Sequence, residues 1–116
     1  MKREAWLVYN DALNKIWAEY SKNSQLVGKS ISFTEKKFFG LRVKQVEKVL
    51  SDTWIECSYS VVDRNNVSSH FKNLRIRDFD EYSDLLDRIK NSLSIKGNVI
   101  RDFNVTCEKE FINPIH

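Results

Sequence analysis

Few residues in this chain are placed to do chemistry. Two histidines, His70 and His116, and two cysteines, Cys57 and Cys107, are spread over 116 residues. No CxxC, HxxxH or HExxH spacing occurs, so the usual zinc-ligand patterns are missing. Ser68-Ser69-His70 supplies hydroxyls and a base, but nucleophilic catalysis also needs an orienting group. On a strand Ser68 and His70 share a face and Ser69 points away. No GxSxG elbow is present, so the expectation is a solvent-facing histidine on a hairpin. The acidic run Asp78, Asp80, Glu81, Asp84, Asp87 lacks the sharp-turn glycine of a Ca²⁺ loop. Helix capping and a solvated helix face account for it. Gly28, Gly40 and Gly97 stand alone, so no phosphate-cradling loop is expected. Glu35-Lys36-Lys37 is an ExK tripeptide. A metal-dependent nuclease would need it beside a second acid, Asp52 or Asp63.

The elements that must position these residues follow from hydrophobic spacing. Trp6, Tyr9, Leu13, Ile16, Trp17 and Tyr20 make one stripe of a helix over 3–22. Four of the six are aromatic, and so bulky a stripe calls for a sheet face as its partner. A short strand is expected at 29–34, with Ile31 and Phe33 on one side. Segment 38–50 fits a helix through Phe39, Val43, Val46 and Leu50, or a strand with Phe39, Leu41 and Val43 inward and a bulge near Gln45 that keeps Val46 inward. Its β-branched residues and Gly40 favour the strand. Ser51-Asp52 reads as a turn. Ile55, Cys57, Tyr59 and Val61 alternate with polar residues, so 53–62 is a strand. Asp63-Arg64-Asn65-Asn66 turns the chain into a strand at 67–79, with Phe71, Leu74 and Ile76 inward around an irregularity. A second helix at 80–94 buries Tyr82, Leu85, Leu86, Ile89 and Leu93, is capped by Asp78 or Asp80, and stops at Gly97. A last strand spans 99–107, and the tail from Phe111 lies over the surface. Both cysteines fall on inward positions and read as small buried hydrophobes.

The result is a single α+β domain over 1–116, in the order α-β-β-β-β-α-β. An antiparallel meander with the N-terminal helix across one face is the simplest architecture. The order resembles the αβββαβ core of restriction-type nucleases. That resemblance would make Glu35 a metal ligand.

Composition bounds the function. The chain is 41% hydrophobic and 30% charged, which excludes collagen, disulfide-scaffold and disordered classes. Two cysteines do not make a disulfide framework. No run approaches a membrane span, and Asn10 and Asp11 interrupt the N-terminal apolar stretch, so a cytoplasmic protein with no membrane partner is expected. Residues 1–51 carry 10 basic and 5 acidic side chains, and residues 52–116 carry 9 and 11. The first half is therefore the basic one.

That charge concentrates in Lys36, Lys37, Arg42, Lys44 and Lys48, interleaved with Phe38. On a strand Arg42 and Lys44 share a face with Phe38. Cations around an aromatic ring would suit an acidic protein surface or a stacked single-stranded nucleic acid. The aromatic that an RNA-binding sheet needs two residues after Val43 is replaced by Gln45. The expected function is thus a small protein-binding module that uses those six residues against an acidic partner. Bacterial and phage proteins of this profile are often inhibitors such as immunity proteins, by analogy of class. Single-stranded nucleic-acid binding is the alternative, and a nuclease the third reading. No catalytic residue, metal or cofactor is expected.

Overall fold

A computed structural model describes residues 3–37 and 42–114. Helix α1 (Arg3–Ser24) is followed by strands β1 (Ser30–Lys37), β2 (Arg42–Val62) and β3 (Ser68–Ile76). Helix α2 (Phe79–Ser94) and strand β4 (Val99–Ile112) complete the order. The expected α+β domain is present, with an antiparallel sheet and the N-terminal helix on one face.

Strand β2 organises everything else. At 21 residues it is far longer than the usual strand, because it serves two neighbours in succession. Residues 42–49 pair with β1, and 55–62 pair with β3. β4 runs beside 49–62. Val49 has partners in both β1 and β4, so those two strands flank β2 on opposite edges. β3 and β4 likewise face each other across 55–62. β1 and β3 therefore share one edge of β2, end to end, and β4 takes the other. The last strand joins β2 rather than its chain neighbour β3, so α2 carries the chain from one edge to the other.

No turn forms at Ser51-Asp52. The two expected strands run together through a bulge between Leu50 and Asp52. Ser51 Oγ donates to the Glu110 carbonyl at 2.9 Å, and Thr53 Oγ1 donates to the Glu108 carbonyl at 2.8 Å. The Thr53 amide donates to Asp52 Oδ1 at 2.8 Å. Ser51 and Thr53, of types that favour turns by bonding to nearby backbone, here bond across the ladder, while Asp52 bonds its own neighbour's amide, and together they hold an irregular strand.

Both helices cover one face of the sheet. Leu13, Ile55, Leu85 and Ile89 are fully buried at the centre, and Trp6, Tyr9, Ile16 and Trp17 pack around them. The Trp17 ring stacks on Tyr82 at 4.5 Å between centroids, and Tyr82 Oη donates to Asn14 Oδ1 at 2.9 Å. The stripe thus packs against sheet and second helix together, with Leu13 and Tyr20 buried and the other four half-buried. Cys57 lies in this core. Burial pushes its thiol up to about 12, which keeps it protonated. Cys107 is half-buried beside Thr53 Oγ1 and Asn23 Nδ2. Both thiols are free.

Turn chemistry follows the expected residues. Asp63 Oδ1 accepts from the amides of Asn65 and Val67 at 2.9 Å, and Asn66 takes a positive φ of 63°. Asp78 caps α2 by accepting from the Glu81 amide at 2.8 Å. Gly97 ends the helical region at φ 89°. A Cβ there would lie 2.7 Å from Arg64 Cβ, so both the backbone and the close approach require glycine. One inward expectation fails on β3. A bulge shifts the register between Ile55 and Cys57, which leaves Leu74 exposed while Ile76 stays buried. Phe71 is only partly covered and stacks on Tyr59 at 5.3 Å.

Candidate functional site

The basic segment forms the outer part of a two-stranded arm. β1 and residues 42–49 of β2 pair from Ser30↔Val49 to Lys37↔Arg42. The molecule measures 57 × 34 × 22 Å, and this arm extends β2 beyond the helix-covered body. At its base, Phe33 meets Phe111 edge-on at 5.0 Å, and Leu50 is fully buried. Further out cover is lost, and Arg42, Val43, Lys44 and Gln45 are all exposed. Val43, expected inward, is 61% exposed, because the register sets it on the face of β2 opposite Val46 and the buried Leu50.

The register sorts the charges. Directly opposed residues share a face in an antiparallel pair. Lys44 (opposite Glu35) and Lys48 (opposite Ile31) therefore lie on the face of Phe33 and Val46, and Arg42 belongs to the same alternate series. Lys36 is opposite Val43, on the other face with Thr34 and Gln45; Gln45 Nε2 donates to Thr34 Oγ1 at 2.9 Å. Lys37 stands opposite Arg42 in the ladder. Phe38, with Phe39, Gly40 and Leu41, lies outside the described residues. Between Ser30 and Val49 there are five cations and two carboxylates, so the arm is a positive projection.

A second cluster sits where arm meets body. Arg75 lies 4.7 Å from the Trp54 ring centroid and Arg77 lies 5.5 Å from it. Trp54 Nε1 donates to Glu56 Oε1 at 3.0 Å. Arg77 grips Asp52 through Nη2 at 2.5 Å and Nε at 3.2 Å, and its carbonyl accepts from Tyr20 Oη. This ties the bulge at 50–52 to the end of β3 and to α1. The only sequence signal was a tryptophan on a polar alternation with arginines two apart.

The Arg77 guanidinium holds the Asp52 carboxyl below the usual carboxylate range, against a smaller opposing effect of burial. A carboxylate with a depressed folded value stabilises the fold above its unfolded value and loses that contribution as pH falls through the folded one. The melting-temperature gap between wild type and Asp52→Asn should therefore be constant down to about pH 5 and shrink below about pH 4. Thermal melts across that range measure it.

The candidate chemical groups are not gathered into one site. Glu35 lies opposite Lys44, eight residues along β2 from Asp52, on the order of 26 Å of extended chain. Asp52 is engaged by Arg77, and Asp63 holds its turn. Among the described residues no three potential metal ligands come together. His70 is exposed, as expected, and its ring is also engaged. Its Nδ1 shares a 2.5 Å hydrogen bond with the buried Ser60 Oγ across the β2–β3 ladder. Such a pair satisfies a buried hydroxyl. No helix among the described residues is long and apolar enough to cross a membrane.

Comparison with protein-family models, curated proteins and solved structures finds no match to this chain. What the geometry defines is an α+β body from which a cationic β-ribbon projects.

Proposed function

We propose that this chain is a protein-binding module of the inhibitor or immunity type, and that its β1–β2 arm engages an acidic partner. One observation carries the reading. In the described outer part of the basic segment Arg42, Val43, Lys44 and Gln45 are all exposed, outside the hydrophobic core. A surface cation costs little to keep solvated, and cations of one sign clustered on a projection steer encounter with the opposite charge. Mixed composition supports protein over nucleic acid: Glu35 and Glu47 interrupt the cations, and Val43 offers apolar contact. Phe33, the aromatic described within the arm, is occupied by Phe111 and is not a free stacking platform.

The test is charge reversal at Arg42 and Lys44, read as partner affinity beside thermal stability. Loss of affinity in a folded variant supports the reading. Unchanged affinity removes it. Tight binding of single-stranded RNA or DNA that collapses steeply with salt would move the arm to the nucleic-acid class.

A further inference from the structure

Resting on the reading of the arm as a protein-binding element, we infer that the partner docks as an extended acidic segment. It adds as a strand to the open edge of β2 between Val43 and Glu47, in line with β4. The geometry begins at Leu50, whose amide donates to the Lys29 carbonyl and whose carbonyl accepts from the Gly28 amide. Leu50 therefore points its backbone groups at the β1 edge. Alternation then turns those of Val49 toward β4, where Ile112 is its partner. The β1 ladder is unbroken from Val49 to Arg42, so Val43, Gln45 and Glu47 direct their N–H and C=O groups to that same edge.

β4 does not follow them there. Its pairing ends at Ile112↔Val49, and continuing the register would set Pro114 opposite Glu47. Proline has no N–H to give the ladder. Among the described residues the edge from Glu47 to Val43 thus carries backbone donors and acceptors with no strand beside them. Such an edge is a template for strand addition.

The side chains define what would fit. An added strand would place alternate residues beside Lys44 and Lys48 on one face, and the others beside Val43 and Gln45 on the opposite face. The first set calls for carboxylates and the second for apolar or hydroxyl-bearing residues. The matching ligand alternates Glu or Asp with Val or Thr.

The probe is a capped nonapeptide alternating glutamate with threonine and valine, compared with a peptide of the same composition whose glutamates are consecutive. Gln45→Pro removes one edge N–H and leaves every charge in place. Gln45→Ala controls for the lost bond to Thr34. The alternating peptide should bind at least tenfold more weakly to Gln45→Pro than to Gln45→Ala. It should also bind tenfold more weakly to Lys44→Glu than to wild type, and the blocked peptide should bind more weakly than the alternating one. In case Gln45→Pro does not fold, amide exchange on the wild-type chain gives a second readout: the peptide should slow Val43, Gln45 and Glu47. If Lys44→Glu weakens binding but Gln45→Pro matches Gln45→Ala and no amide slows, the cationic arm stands and strand addition is overturned. If neither substitution matters, both readings fall. If these amides slow with protein concentration alone, the edge belongs to a second copy of the chain, and the proposed occupant is wrong.

Discussion

Leu13→Ala should cost about 2–5 kcal/mol of folding stability. Leu13 is fully buried midway along α1, in the cluster with Ile55, Leu85 and Ile89. Truncation removes apolar contact and leaves a cavity between helix and sheet, and the surrounding rings of Trp17 and Tyr82 are too constrained by their stacking to fill it freely. A domain of this size holds about 5–15 kcal/mol in all, so this one change would consume a large share. Val8→Ala on the same helix is the internal control. Val8 is 66% exposed, and its loss should stay within about 0.5 kcal/mol. Urea denaturation of the two variants reads the difference directly. Equal midpoints would mean that the aromatic stripe is not seated on the sheet.

Arg42→Glu with Lys44→Glu should have the opposite profile. Partner affinity should fall at least tenfold, about 1.4 kcal/mol, with most of the loss in the association rate at low salt. Stability should barely move, because both side chains are exposed. Glutamate at 44 would stand directly opposite Glu35, a like-charge pair worth a few tenths of a kcal/mol. A melting temperature that collapsed with the affinity would move these residues from interface to scaffold.

Legibility from sequence divides along physical lines. The two helices were visible because their buried faces repeat at helical spacing and their ends carry local signals, such as Asp78 at the α2 start and Gly97 after its end. The 63–66 turn was visible because Asp63 and Asn66 act on their own backbone. What sequence could not separate is a turn from a bulge at 51–53. The same Ser, Asp and Thr side chains serve either, and only the distant Glu108 and Glu110 carbonyls decide. The pairing of β4 with β2 rather than β3 is likewise non-local. So is the arm: Val43 alternates with polar neighbours as a core residue would, yet the register sets it on the face opposite Val46 and the buried Leu50. The cations were identified from composition and spacing. The open edge beside them needed the register and the position of Pro114.

Native-state amide hydrogen exchange on the isolated chain tests the central claim most directly, because it reads both the body and the ribbon that leaves it. Ile55 to Val61 should be the most protected backbone, since both neighbours cover it. Along the arm, protection should alternate, with Lys44, Val46 and Lys48 slowed by β1 and Val43, Gln45 and Glu47 exchanging fast. Uniform protection from Val43 to Lys48 equal to that of Ile55 to Val61, or alternation of the reverse phase, would contradict an arm with an open edge.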